Sequence, residues 1–344
     1  MSSVNPRRSS PPQRLRTRTG GHKLVAWLWS RLAPRVPPTP AGVSLLVRVS
    51  VLRHPYVGSQ AMATIPAIPH LFGLDTFDAV QVSGTGLLLL FAPQRVYYLP
   101  LGEVSEAALR NAHINRLSLR QSPLADLPPS RWHQHWVAGL SVASAERLVP
   151  CACPVTCAQE VLARLRRLGQ DGRTLRATEV RWRRVVAAIC PTSSSEFWNT
   201  QIRLLSERVW TVGPTHGDLT PGNIMYDPTA DRCKLLDLDR FSWHGVQLFD
   251  TLHFRVEEHC RKNSIDWIAT VEASALDDVL LPCGEPDGRH KSSAGHSALG
   301  VCIAFYILER LRHELRMSVD RMPESWVMRV RRLLSSTALQ RRIA

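Results

Sequence analysis

Lysine is missing from more than half of the chain: none lies between Lys23 and Lys234. Acidic residues are missing from its start, with no Asp or Glu from Met1 to Leu74. The first absence removes the point-charge ammonium that commonly grips phosphate. The second makes the formal net charge of +14 lopsided, because the basic residues before Leu74 supply +10 of it. A basic balance spread over a whole fold points to nucleic acid or an anionic membrane. Here it belongs to a tail, so a nucleic-acid partner is not expected. Long apolar runs are missing too. Leu24 to Trp29 is brief and Arg31 and Arg35 follow it closely, well short of the ~20 residues a membrane helix needs. No membrane span is expected.

A secretory signal is also lacking. The eight cysteines, Cys151, Cys153, Cys157, Cys190, Cys233, Cys260, Cys283 and Cys302, are scattered. That usage reads as reduced, mostly buried thiols in a cytoplasmic protein. Cys151-x-Cys153-x3-Cys157 invites a metal reading. It has no second Cys-x2-Cys and no paired His at zinc-finger spacing, so buried thiols are the preferred reading.

The acid-free start, residues 1–61, is rich in Arg, Pro and Ser, a composition expected to stay disordered. Three readings stay open for it: an organellar targeting leader, a basic arm, or a start-site artefact with translation beginning at Met62. The abrupt change of composition near Met62 favours the last.

What is present centres on His216-Gly217-Asp218-Leu219-Thr220-Pro221-Gly222-Asn223 and the later Leu235-Leu236-Asp237-Leu238-Asp239. An Asp, four residues, an Asn, a hairpin's length and an Asp closing an apolar run make a phosphoryl-transfer layout. Asp218 would accept the proton of an attacking hydroxyl. Asn223 and Asp237 offer the oxygen ligands that a hard ion such as Mg²⁺ requires. Thr220-Pro221-Gly222 is turn chemistry, and two short strands around Asp227-Pro228 would carry Asn223 and Asp237 back to one place.

These residues resemble the aminoglycoside phosphotransferase and choline kinase-like family, whose members commonly write HGDxxxxN followed by a hydrophobic pair, Asp, any residue, then Asp or Glu. The resemblance is strong from Glu196 to Phe254. It implies Asp218 as catalytic base, His216 as a brace of the catalytic loop, and Asn223 and Asp237 as Mg²⁺ ligands. Asp239 matches the second acidic position and Asp250 a later Asp that buttresses the loop. The implied function is transfer of the γ-phosphoryl group of ATP to a hydroxyl of a small molecule. The implied fold is α+β and protein-kinase-like, with a small antiparallel-sheet N-lobe and a mainly helical C-lobe. The organisation then reads as an extension over 1–61, an N-lobe over 62–152 and a C-lobe over 153–344.

The pattern along the chain suits that fold. Ala79 to Val82 and Leu87 to Phe91 flank Gly84-Thr85-Gly86, where Gly84 and Gly86 could let backbone N–H groups approach a nucleotide's phosphates. A third strand spans Arg95 to Leu101, a helix Glu103 to Leu119, and two strands Trp132 to Val149, broken near Ser141 to Glu146. Thr156 is the expected N-cap of the next helix. Helices follow over Phe197 to Val209, Phe249 to Cys260, Asp266 to Leu281, Ala298 to Met317 and Ser325 to Leu334. An acceptor pocket built after Asp250 would use Asp266, Glu272, Asp277 and Asp278 if the acceptor were a cation; otherwise these acids are solvated helix faces.

One part is absent. Kinases hold the α/β-phosphates with a Lys on the third strand, braced by a Glu from the next helix. Arg95 is the only cation on that strand, and Glu103 or Glu106 is the available partner. Arg95 substitutes, or another group does, or nucleotide binding is impaired and the protein is a pseudokinase-like binding or scaffold module. The retained acids favour activity, because clustered carboxylates are costly without a cation.

Overall fold

The computed structural model describes residues 78–83, 87–137, 140–273, 298–315 and 322–344. The extension over 1–61, Gly84, Gly86, Asp277 and Asp278 lie outside the described residues. The chain divides into two compact units.

The first unit takes in the described residues up to Ala107 together with His133–Arg147. Its strands are β1 (Ala79–Val82), β2 (Leu87–Phe91), β3 (Arg95–Pro100), β4 (His133–Val137) and β5 (Leu140–Glu146), in one antiparallel sheet of order β1-β2-β3-β5-β4. Alternation along β2 sends Leu88 and Leu90 into the core, opposite Leu99 and Tyr97 of β3. The expected break at Ser141 to Glu146 is corrected: these residues run unbroken through β5, between β3 and β4. Their small Ser and Ala side chains look like loop composition. In the sheet they are core, and Ser144, fully buried, receives a hydrogen bond from Arg95 Nη1 at 3.3 Å.

The second unit holds residues 108–132 and everything from Leu148 onward. Helix α1 (Glu103–Arg120) belongs to it from Ala108 on. After β6 (Val149–Pro150), α2 (Pro154–Arg166) starts with Pro154, whose missing N–H costs nothing in a first turn. Cys153 therefore occupies the N-cap and Thr156 lies inside the helix, against the expected cap. Then come β7 (Gln170–Thr174), α3 (Arg176–Ile189), α4 (Thr192–Glu207) and β8 (Val209–Thr215). The expected helix over Phe197 to Val209 thus begins earlier, and Val209 opens a strand. α3 arises from Trp182, Val185, Val186 and Ile189, spaced to line one buried face.

The hairpin of β9 (Ile224–Asp227) and β10 (Arg232–Leu235) forms as the sequence implied, and β6 pairs with β9 to give a sheet of order β10-β9-β6. β11 (Ser242–Val246) joins β8 and β7 in a second three-stranded sheet. The described chain closes with α5 (Gln247–Asn263), α6 (Trp267–Glu272), α7 (Ala298–Glu314), α8 (Glu324–Ser335) and α9 (Thr337–Ile343).

Helix α7 is apolar on nearly every side, so Cys302 to Leu308 are all buried, as a central core helix requires. Around it pack Trp182, Trp198 and Trp210. Each indole N–H finds an acceptor: Glu309 Oε1 at 2.7 Å, Leu334 O at 3.0 Å and Leu205 O at 2.9 Å. Truncating one of these side chains would cost about 3–5 kcal/mol. A second cluster of Leu162, Leu165, Leu219, Ile224, Leu235 and Phe254 seats the segment from His216 to Asn223 and the hairpin on α2 and α5.

The reading of reduced thiols is overturned for two cysteines. The first turn of α2 faces β10, bringing Cys157 and Cys233 to a Cα separation of 6.0 Å as a disulfide. Cys151, Cys153, Cys190, Cys260 and Cys302 are outside any disulfide.

Candidate active site

The loop from His216 to Asn223 leaves β8 and runs into the β9–β10 hairpin, all within the second unit. Gly217 takes φ +77°, and a Cβ there would stand 2.5 Å from Arg240 O. Only glycine allows that close approach without strain. The loop's amides are then pinned from below by Asp250 on α5. Its buried carboxylate accepts His216 N–H through Oδ2 at 2.6 Å and Gly217 N–H through Oδ1 at 2.8 Å.

His216 is fully buried and spans the loop. Its Nδ1 accepts Asp218 N–H at 3.3 Å, which leaves Nε2–H to donate to Leu236 O at 2.7 Å. Asn223 spends its Nδ2 on Asp218 O at 2.8 Å, leaving its Oδ1 as an acceptor. The Leu236 N–H donates to Asn223 O at 2.9 Å, tying the segment that carries Asp237 to the loop. From the second half of α1, Asn115 Nδ2 donates to Leu238 O at 2.7 Å, fixing the same segment from the other side.

Asp218 carries two donor neighbours. His253 Nε2 lies 2.9 Å from its Oδ1 and Arg240 Nη1 lies 3.5 Å away. Arg310 Nη1 stands beyond His253, 3.2 Å from its Nδ1 and 3.1 Å from its Nε2. The arrangement fits a neutral His253 that donates to Asp218 through Nε2. Burial alone would favour the protonated acid. The His253 hydrogen bond and the charges of Arg240 and Arg310 outweigh it and hold Asp218 well below the usual carboxylate range. Burial likewise lowers His253.

Asp237 shifts the other way. Desolvation and then the negative charge of Asp218 raise its carboxyl. Since the Asp237 residue keeps substantial exposure, the Asp218 charge is the cause that carries weight. Its backbone is left-handed, φ 55° and ψ 55°, directly after the hairpin. A non-glycine residue held there is a strained position of the kind that accompanies functional sites.

The structure thus gathers His216, Asp218, Asn223, Asp237 and Asp250. Arg95 and Glu106 lie in the first unit, where Arg95 hydrogen-bonds Ser144. Of the acids expected to greet a cationic acceptor, the two among the described residues are engaged elsewhere. Asp266 caps α6 through Ala269 N–H at 2.9 Å and pairs with Arg329, and Glu272 pairs with Arg332 at 3.2 Å. Sequence reasoning missed His253, Arg240 and Arg310. His253 had a signal, since it sits three residues after Asp250 on one helix and so shares its face. Arg310 had none, because only the packing of α7 against α5 brings it in.

Beside the loop is a cavity of about 350 Å³ whose walls include Gly217, Arg240, Arg181, His244, Glu309 and Arg312. Asp218 itself is not among its walls. Glu309 is buried and held by Arg312 at 2.6 Å, with Trp182 donating to it.

No protein-family model and no characterised protein matches the sequence. Solved structures do. The GDP and kanamycin complex of APH(2")-IIia superposes with a TM-score of 0.50 at 12% identity, covering 78% of this chain and 96% of that one. An aminoglycoside-3'-phosphotransferase of type VIII gives 0.47 at 16% identity, over 74% of this chain and 100% of that one. A choline/ethanolamine kinase family protein from Mesorhizobium loti gives 0.47 at 15% identity, over 80% and 94%. At such identities likeness speaks to fold alone, and the first of the three carries it. Among the described residues no helix is long and apolar enough to cross a membrane. The chain has the α+β, protein-kinase-like fold of the aminoglycoside phosphotransferases, the fold that the resemblance read from HGDLTPGN and LLDLD implied.

Proposed function

We propose that the chain is a phosphotransferase that moves the γ-phosphoryl group of ATP to a hydroxyl of a small-molecule acceptor. The observation that carries this reading is the convergence of Asp218, Asn223 and the Asp237 segment on one braced loop, with His253 and Arg240 set against the Asp218 carboxylate. Asp218 is the base: it orients the acceptor hydroxyl and takes its proton as the oxygen bonds to phosphorus and the nucleoside diphosphate leaves. A strongly acidic carboxyl suits this step. Phosphoryl transfer is loose, so the hydroxyl needs positioning more than early deprotonation.

The donor set suits Mg²⁺. Asn223 Oδ1 and the Asp237 carboxylate are hard oxygen ligands, and a divalent cation would relieve the repulsion that raises Asp237. Such an ion supplies charge neutralisation on the phosphate oxygens. Asn223 and Asp237 would hold it, and His216 and Asp250 would keep both where they are. Arg95 with Glu106 would take the part that a Lys–Glu pair plays for nucleotide phosphates in kinases.

One observation supports a second reading, a nucleotide-binding module without turnover: the third strand offers Arg95 in place of Lys, and Arg95 is engaged by Ser144. Calorimetry with ATP, with and without Mg²⁺, followed by a coupled ADP-release assay over a panel of hydroxyl metabolites, separates the two. The enzyme reading expects Mg²⁺-dependent binding that Asp237→Ala weakens, plus acceptor-dependent ADP release. Binding with no release on any acceptor supports the module. No binding in either condition overturns both.

A further inference from the structure

Outside the acid cluster, the densest gathering of chemically reactive side chains is sulfur. Cys151 follows β6, Cys157 lies in the first turn of α2, and Cys233 sits on β10. Strand pairing joins β6 to β9 and β9 to β10, and α2 begins three residues after Cys151, so the three are fixed by regular elements rather than by a loose loop. Their sulfurs all lie within 4.8 Å of one another. Cys151 Sγ is 3.1 Å from Cys157 Sγ, and Cys157 forms the disulfide with Cys233. All three are only partly buried, so an ion can reach them.

We propose that Cys151, Cys157 and Cys233 form a thiolate metal site in the reduced protein, selective for a zinc-class ion. Three sulfurs bound at ~2.3 Å to one tetrahedral ion stand roughly 3.8 Å apart. The observed cluster is already that compact. Sulfur-only donors select zinc and softer ions and reject Mg²⁺, whereas the oxygens of Asn223 and Asp237 do the reverse. The two sites therefore do not compete, and this one does not depend on the phosphotransfer reading. Three protein ligands leave one tetrahedral position to solvent.

The disulfide is the oxidised, metal-free form of the same cluster. A dithiol reductant delivers two electrons and two protons to the Cys157–Cys233 bond and itself becomes a disulfide. The two thiols so formed and Cys151 together release three protons as their sulfurs bind Zn²⁺, so affinity rises with pH. In either form the cross-link joins the segment after β6 to the hairpin that leads into Asp237.

The test uses the full chain, reduced with a phosphine, supplied with Zn²⁺, desalted and analysed for bound metal. One zinc per chain is expected, with loss of at least nine-tenths of it in Cys151→Ser and in Cys233→Ser, and full retention in Cys190→Ser. Because a cysteine variant can fail to fold, alkylation rates are also mapped by mass spectrometry on the wild-type chain. Zinc should slow labelling of these three cysteines together and leave Cys153 and Cys190 unaffected. Zinc should also raise the melting temperature of the reduced protein. Absence of retained zinc in the reduced wild type, or full zinc in Cys151→Ser, overturns the proposal. So does a Cys151–Cys157 disulfide appearing in place of metal binding, which would make the cluster a thiol–disulfide exchange site.

Discussion

Replacing Asp250 with Ala should loosen the loop from His216 to Asn223 more than any other single truncation near it. The carboxylate is 1% exposed and is the acceptor for two buried backbone donors, His216 N–H at 2.6 Å and Gly217 N–H at 2.8 Å. Alanine leaves both without a protein partner. A buried donor stripped of its acceptor costs about 1–3 kcal/mol, so the pair should cost about 4 kcal/mol. Part of this is returned, because burying the carboxylate raises its own free energy. Asp250→Asn keeps one acceptor oxygen and presents an amide to the other donor, so it should cost about half as much. For a domain of this size, 4 kcal/mol corresponds to a fall of about 8–16 °C in melting temperature. Two measurements check this: thermal unfolding of both variants, and hydrogen exchange of the peptide containing His216 to Leu219. The variant should show markedly faster exchange there, with α7 unchanged. An Asp250→Ala protein that melts within a degree of wild type, with normal exchange in the loop, would refute the bracing argument.

Glu309 gives a pH prediction. Burial would raise its pKa, but His313, whose Nε2 stands 3.6 Å away, and the Arg312 guanidinium paired with it at 2.6 Å lower it from 4.5 to about 2. A depressed carboxyl contributes stability that is present above the unfolded value and lost as pH falls through the folded one. About 3 kcal/mol should therefore disappear between pH 4.5 and pH 2. Glu309→Gln should flatten that limb of a denaturant-midpoint series against pH; an unchanged limb would assign the loss to other acids. Gly217→Ala must place a side chain at φ +77° and 2.5 Å from Arg240 O. It should cost about 2–4 kcal/mol in urea unfolding, and a neutral effect would mean that the loop relaxes freely. His253→Leu removes the donor 2.9 Å from Asp218 and with it one cause of that group's low pKa. The acid limb of the pH–rate profile should move to higher pH with the protein still folded, and an unmoved limb would separate His253 from the base.

The sequence made some of this legible because local chemistry and global fold agreed. β2 and β3 alternate cleanly, and the β9–β10 hairpin is bounded by turn residues, so both could be read directly. The loop was legible because its roles demand particular residue types at fixed spacing: a Gly where the backbone approaches Arg240, an Asn where an amide must reach Asp218 O. What stayed hidden depended on tertiary contact. β5 is written in Ser and Ala, which signal a strand only once Arg95 and Gln134 satisfy their hydroxyls. The cap of α2 fell to Cys153 because Pro154 fixes where the helix begins. Asp266 and Glu272 looked free along the chain, yet helix packing supplies Arg329 and Arg332 to both. Cys157 and Cys233 are 76 residues apart, and nothing local tells that they meet. Arg310 reaches His253 across 57 residues by the same kind of contact.

The central claim is that Asp218 is the base of a phosphoryl transfer, and one measurement meets it most directly. Purified wild type and Asp218→Ala are compared for acceptor-stimulated ADP release with ATP and Mg²⁺, alongside calorimetric nucleotide affinity. Loss of a positioned base typically costs about 10²–10⁴-fold in rate, so the variant should lose turnover by that factor while binding nucleotide within about threefold of wild type. Equal turnover in the two proteins, at equal affinity, would contradict the account.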